Sequence, residues 1–197
     1  MTTADEALAR LIAGNERFLR GEARFPTVQK EILAAMAAGQ SPYATIVGCS
    51  DSRVPPELIF DSGFGELFIV RVAGNGISPE IIGTLQYAGL HLRTPLFVVL
   101  GHEGCGAVKA ALAVKDDAAV MPARISVLID NIVPGLRDLP AGLPPQARLA
   151  AAVEANVRWS MRQILETPEA KARAAEGVMK LVGAVYELES GRVRFLS

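Results

Sequence analysis

The chain has 197 residues, half of them hydrophobic, and a formal net charge of −1. Such a chain folds around a sizeable core rather than staying disordered, and its near-neutral balance without a basic stripe argues against a nucleic-acid partner. Its apolar runs, such as Ala44–Gly48 and Leu96–Gly101, are strand-length and far too short to span a bilayer, so no membrane association is expected. Residues 1–6 carry no basic segment leading into an apolar one, which points to a reducing, cytoplasmic location. Two cysteines there serve better as ligands, nucleophiles or core fillers than as a structural disulfide.

The periodicity of Leu8, Leu11, Ile12 and Phe18 predicts an amphipathic helix over 4–20, stopped at Gly21. A second helix is expected over about 27–38, ending near Gly39. Neither carries chemistry, so both read as packing elements or as an arm gripping a second subunit. Ala44–Gly48 then reads as a buried strand, Leu67–Val70 as another and Pro95–Gly101 as a third. Helices are predicted over Pro79–Leu92 and Gly104–Val114. Residues 121–175 read as two or three helices, punctuated by Pro134-Gly135 and by 142–145. A strand over Val178–Glu187, a turn at Ser190-Gly191 and a closing strand over Arg192–Leu196 end the chain. Strands alternating with helices predict an α/β fold. Its central sheet is expected to have four to five mostly parallel strands, the last antiparallel, flanked by helices behind an N-terminal helical arm. The whole is read as one domain: arm 1–39, site-bearing core 40–120, and helices with closing strands 121–197.

The chain has only two histidines and two cysteines, so their placement is informative. Cys49 follows the first buried strand, and His102 and Cys105 follow the third. Parallel neighbours end on one side of a sheet, where ligands bind, so these residues can meet although 53 positions separate Cys49 from His102. Two thiolates and an imidazole suit zinc, and three protein ligands leave the fourth position open for chemistry. Glycines at 48, 101, 104 and 106 let the backbone crowd an ion. Three other readings stand beside this one: small buried hydrophobes, a Cys49–Cys105 disulfide, and a nucleophilic cysteine with His102 as its base. Asp51 lies two residues from Cys49. It can serve as a fourth ligand, or it can pair with Arg53, whose planar fork fits a carboxylate.

Cys49-Ser50-Asp51-Ser52-Arg53 followed by His102-x-x-Cys105-Gly106 resembles the β-class carbonic anhydrases. The stretches 54–61 and 65–75, Asn15-Glu16-Arg17-Phe18, and the tail around 183–188 and 191–193 are also similar to that family, so the likeness runs nearly end to end. The resemblance implies one zinc per chain, held by Cys49, His102 and Cys105, with Asp51 either ligating it or paired to Arg53. It implies reversible hydration of carbon dioxide to bicarbonate and a proton, with Asp51 and Arg53 as the catalytic pair. It further implies that Gln40, Phe68, Tyr87 and Gly106 contact substrate, and that the chain self-associates as a dimer or tetramer with clefts lined from two subunits. Two positions depart from the family pattern: Glu103 stands where Ser or Thr is usual, and Ser62 where many members carry Gln. Ile46 stands where some members with a closed site carry Trp, which favours the open arrangement. His91 is the only spare histidine, and a structural role is expected for it. Hydrolysis of carbonyl sulfide or carbon disulfide, a non-catalytic zinc-stabilised protein, and a thiol–disulfide enzyme are the competing readings.

Overall fold

The computed structural model describes residues 2–24, 33–34 and 36–196. The second helix expected over 27–38 falls largely outside them. Helix α1 (Ala4–Leu19) opens on a capping box in which Thr3 Oγ1 accepts from the Glu6 amide and the Glu6 carboxylate accepts from the Thr3 amide. Then follow β1 (Ala44–Gly48), a short helix α2 (Pro56–Ile59), β2 (Leu67–Arg71), a 3-10 turn at Ala73–Asn75 and α3 (Pro79–Leu90). Next come β3 (Leu96–His102), α4 (Gly106–Asp117), α5 (Ala123–Ile132), a 3-10 turn at Val133–Leu136, α6 (Pro145–Glu166) and α7 (Pro168–Ala175). Strands β4 (Lys180–Tyr186) and β5 (Val193–Phe195) complete the sheet.

The sheet has five strands in the order β2-β1-β3-β4-β5, all parallel except the final β4–β5 pair. Every residue of β1 and β3 is buried. A strand covered on both faces is dominated by apolar side chains, which is why these strands show as largely apolar runs in the sequence; the buried Thr45 hydroxyl of β1 is satisfied by Thr94. Ala44, Ile46, Leu96, Val98, Leu100 and Ala184 face the layer that holds α1 and α2. Val47, Cys49, Phe97, Val99 and Val185 face the layer built from the remaining helices, and Cys105 lies in that layer too. Alternation along β1 therefore directs Cys49 to the side from which Cys105 approaches.

Three boundaries differ from expectation, each for a physical reason. His102 is the last residue of β3 rather than the first beyond it, because Gly101 and His102 still pair with Val185 and Tyr186 of β4. Helix α4 begins at Gly106 rather than 104, because Gly104 has a left-handed backbone (φ 63°), and the helix continues to Asp117. Helix α3 stops at Leu90, which leaves His91 exposed at the helix cap, its amide donating to the Tyr87 carbonyl. Glycines also set the seat of α6. A Cβ on Gly101 would lie 2.6 Å from Val157, and one on Gly183 would lie 2.8 Å from Met161, so the helix rests directly on β3 and β4.

Helix α1 is not a free arm within this chain. Ala7 and Leu11 are fully buried against the chain's own sheet, and a Cβ on Gly14 would overlap the Phe60 carbonyl. Asn15 donates to the carbonyls of Ile59 and Gly191 and accepts from the Val193 amide, so it ties α1 to α2 and β5. Asp61, with its side chain wholly buried, accepts from Arg17 Nε at 2.5 Å, the Arg24 amide at 2.7 Å and Arg24 Nε at 3.1 Å. Burial alone would raise the Asp61 carboxyl, but these donors outweigh it and hold the group below its ordinary value. The stabilisation is therefore present above the unfolded carboxyl value near pH 4 and is lost as pH falls through the lower folded value. Asp61→Asn is expected to cost about 3 kcal/mol at neutral pH. The deficit should shrink below about pH 4, as read by urea denaturation at several pH values.

Candidate metal centre

The ligating atoms of Cys49, His102 and Cys105 all lie within 4.8 Å of one another, and all three residues are buried. Each comes from the carboxyl end of the sheet or the turn just beyond it. Cys49 follows β1, His102 ends β3, and Cys105 caps the start of α4. The turn between the last two is anchored from β4, where the Tyr186 carbonyl accepts from the Glu103 amide. The Glu103 carboxylate, at the position that departs from the family pattern, accepts from the Leu188 amide at 3.1 Å. Ser62, the other departure, is buried and exchanges a hydrogen bond with Tyr43 at 2.9 Å.

His102 shows what the cluster is arranged to do. Nδ1 lies 2.8 Å from the Glu103 carbonyl, which can only accept, so Nδ1 carries the proton. Nε2 is then left with its lone pair, and this atom is buried without a hydrogen-bond partner among the described residues. A buried acceptor in that state is costly unless something takes its lone pair. The two neighbouring sulfurs are the right chemistry to share an ion with it. The Cys49 thiol is held well below its ordinary value, first by a hydrogen bond from Cys105, against desolvation, then by the His102 ring beside it and by donation from the Gly74 amide at 3.3 Å. Cys105 is pushed up in turn by its partner and by burial. Two soft sulfurs, one of them ready to ionise, with one imidazole nitrogen close to both, fit zinc.

Asp51 stands at the edge of this cluster, with Oδ2 3.9 Å from His102 Nε2. Arg53 engages both of its oxygens, Nε to Oδ1 at 2.9 Å and Nη2 to Oδ2 at 2.7 Å, and the Arg53 amide adds a third bond. This fork holds the Asp51 carboxyl well below the usual carboxylate range, against the desolvation that would raise it. The structure thus shows Asp51 paired with Arg53 and outside the three-residue ligand group. Arg71 locks the same loop by donating to the carbonyls of Cys49 and Asp51.

A carbonic anhydrase family model matches residues 44–193. The chain belongs to the β-class carbonic anhydrases. It is 39% identical over 184 residues to carbonic anhydrase 2 of Mycobacterium tuberculosis, covering 91% of this chain and 86% of that protein. It is 37% identical over 185 residues to the carbonic anhydrase of Mycolicibacterium smegmatis, covering 93% and 89%. Its backbone superposes on the Coccomyxa β-carbonic anhydrase with a TM-score of 0.75 at 28% identity, covering 96% of this chain and 86% of that one.

The remaining expected site residues divide between two places. Gly106 is exposed at the first turn of α4, next to Cys105. Gln40 and Tyr87 line a separate open cleft with Met36, Phe64 and Leu92, and Phe68 lies against Tyr87 with ring centroids 6.2 Å apart. Phe68 pairs in register with Thr45, four residues before Cys49, which is about 13 Å along the strand. Gln40, Phe68 and Tyr87 thus gather with one another and not with the carbonic anhydrase metal cluster of their own chain. Arg71 and Gly74 were not singled out from the sequence, because their contacts to the Cys49 loop exist only once β2 lies beside β1.

Proposed function

We propose that Cys49, His102 and Cys105 hold one zinc ion in this carbonic anhydrase, and that Asp51 and Arg53 orient the reaction it catalyses, the reversible hydration of carbon dioxide to bicarbonate and a proton. The observation that carries this reading is the buried, unpartnered Nε2 of His102 facing two thiols. These three residues would hold the ion, which would supply a nucleophile at neutral pH by making water more acidic, to a pKa of about 7. Asp51 stays ionised under the Arg53 fork, so at neutral pH it only accepts hydrogen bonds. It accepts from the attacking water's remaining O–H and so fixes which lone pair faces the carbon. Arg53 keeps the carboxylate at the mouth of the cluster and away from the ligand position. Gly106 opens a twelve-residue helix beside Cys105, where the positive end of the helix favours the negative charge that grows on the product.

Gln40, Phe68 and Tyr87 then act across a subunit boundary. Their cleft is exposed and largely apolar, with Phe64 54% and Tyr87 47% accessible. It lies too far from the cluster of the same chain to touch its substrate. Self-association that apposes the cleft of one copy to the metal cluster of another gives a complete site, with Gln40 donating to a carbon dioxide oxygen. The whole chain reads as one catalytic domain. No described helix is long and apolar enough to cross a membrane, and the two free cysteines suit a reducing cytoplasm.

Two experiments test this. Stopped-flow hydration of carbon dioxide by zinc-loaded protein should show turnover that falls about 10²-fold in Asp51→Ala with metal content unchanged. Absence of hydration in the zinc-loaded protein, with hydrolysis of carbonyl sulfide instead, would contradict the reading. For the shared cleft, Gln40→Ala and Asp51→Ala chains are co-refolded in equal amounts. Half of the dimers are then mixed, each with one intact site, so about a quarter of the wild-type rate should return. A mixture no more active than its parents would place both residues in one chain's site.

A further inference from the structure

We propose that Asn156 and Ser160 of α6 are positioning residues for the metal centre: they hold the 73–75 turn so that the Gly74 amide donates to Cys49 Sγ, and through that bond they set the donor strength of the sulfur. The inference rests on the reading of Cys49 as a zinc ligand and goes beyond it, because neither residue touches the cluster.

The turn requires outside support. Gly74 and Asn75 both adopt left-handed backbones, with φ 68° and 45°, and the second of these is unfavourable for a residue with a side chain. Within the turn, the Asn75 amide donates to the Val72 carbonyl at 3.0 Å, and the Val72 amide donates to the Gly48 carbonyl at 3.1 Å. The turn is thereby tied to the end of β1, one residue from Cys49. Its other side is closed by packing, since a Cβ on Gly74 would lie 2.6 Å from Ile132 and 3.0 Å from Ala107. A side chain there would have to displace the end of Ile132 and adopt a strained left-handed backbone. Ala107 belongs to the same first turn of α4 that Cys105 caps.

The grip itself comes from α6. Asn156 Nδ2 donates to the Gly74 carbonyl at 2.8 Å, Ser160 Oγ donates to the Asn75 carbonyl at 2.9 Å, and Asn75 Nδ2 donates to Ser160 Oγ at 3.4 Å. Spacing of four puts Asn156 and Ser160 on one helix face, so the two bonds act as a single clamp. All three residues are at most 1% exposed. Asn156 Oδ1 is buried without a protein partner among the described residues. An apolar residue of similar size would fill the same space without that cost, so the residue is accounted for by its donor. What the donor fixes is the residue whose N–H points at Cys49 Sγ. An amide hydrogen bond draws charge from a metal-bound sulfur, and partners of this kind tune a ligand as strongly as they place it.

The test uses cobalt(II)-substituted protein, in which the sulfur-to-cobalt charge-transfer band reads the donor strength of the thiolates. Asn156→Ala and Ser160→Ala should move that band to longer wavelength, and by loosening the placement of Cys49 they should also speed release of zinc from the native protein to a chelator by about tenfold. Ile164→Ala serves as a control. It loosens the same helix at a buried position away from the turn, and it should leave the band in place. A band that stays put in both polar variants, or that moves equally in Ile164→Ala, overturns the proposal. Failure of the underlying ligand assignment looks different: Cys49→Ser would then keep the full wild-type band.

Discussion

Everything in the site depends on one buried lone pair. His102 has its Nδ1 proton committed to the carbonyl of the next residue, and Nε2, buried beside two thiols, has no hydrogen-bond partner among the described residues. The fold holds this arrangement in place by stiffness. His102 is the last residue of a fully buried strand with a β partner on the far side, and the turn that follows is pinned by the Glu103 amide to β4 and by the Glu103 carboxylate to the Leu188 amide just beyond it. Ligand binding at that position satisfies the imidazole, and it makes ionisation of two neighbouring sulfurs favourable at the same time.

Around this point the parallel sheet does the assembling. Strands β1 and β3 lie side by side, so the residues that follow them meet without any long loop. Charged groups are kept to the rim. Asp51 is fixed by Arg53 in the plane of its fork, and Arg71 fixes the backbone that carries Asp51. The arrangement follows burial: atoms with lone pairs for a soft ion lie inside, and the Asp51–Arg53 ion pair stands at the mouth. The cleft that holds Gln40 and Tyr87 lies elsewhere on the surface, which makes the second subunit a chemical requirement of the reading rather than an addition to it.

Much of this was legible in the sequence because its signals are local. Doubly covered strands are dominated by apolar residues, so β1 and β3 were visible as runs, and the rule that ligands gather at strand carboxyl ends brought Cys49 to His102 and Cys105. The Asp51–Arg53 pair is two residues apart and needs no tertiary information. What escaped depends on partners far along the chain. His102 belongs to β3 only because β4 extends the ladder to it. The Gly74 amide reaches Cys49 only when β2 and its following turn are in place, and Asn156, 82 positions from Gly74, has nothing in its neighbourhood that marks it. The N-terminal helix read as a packing element or as an arm, because its apolar stripe does not say which surface will cover it. Gly14 and Asn15 decide that in favour of the chain's own sheet.

X-ray absorption at the zinc edge of the purified protein at neutral pH tests the central claim most directly. The account predicts two sulfur neighbours at about 2.3 Å and two lighter neighbours at about 2.0 Å, one an imidazole. It also predicts that an added small anion replaces the other light neighbour while both sulfurs remain. A shell with no sulfur, with more than two, or with four neighbours that no anion displaces would contradict it.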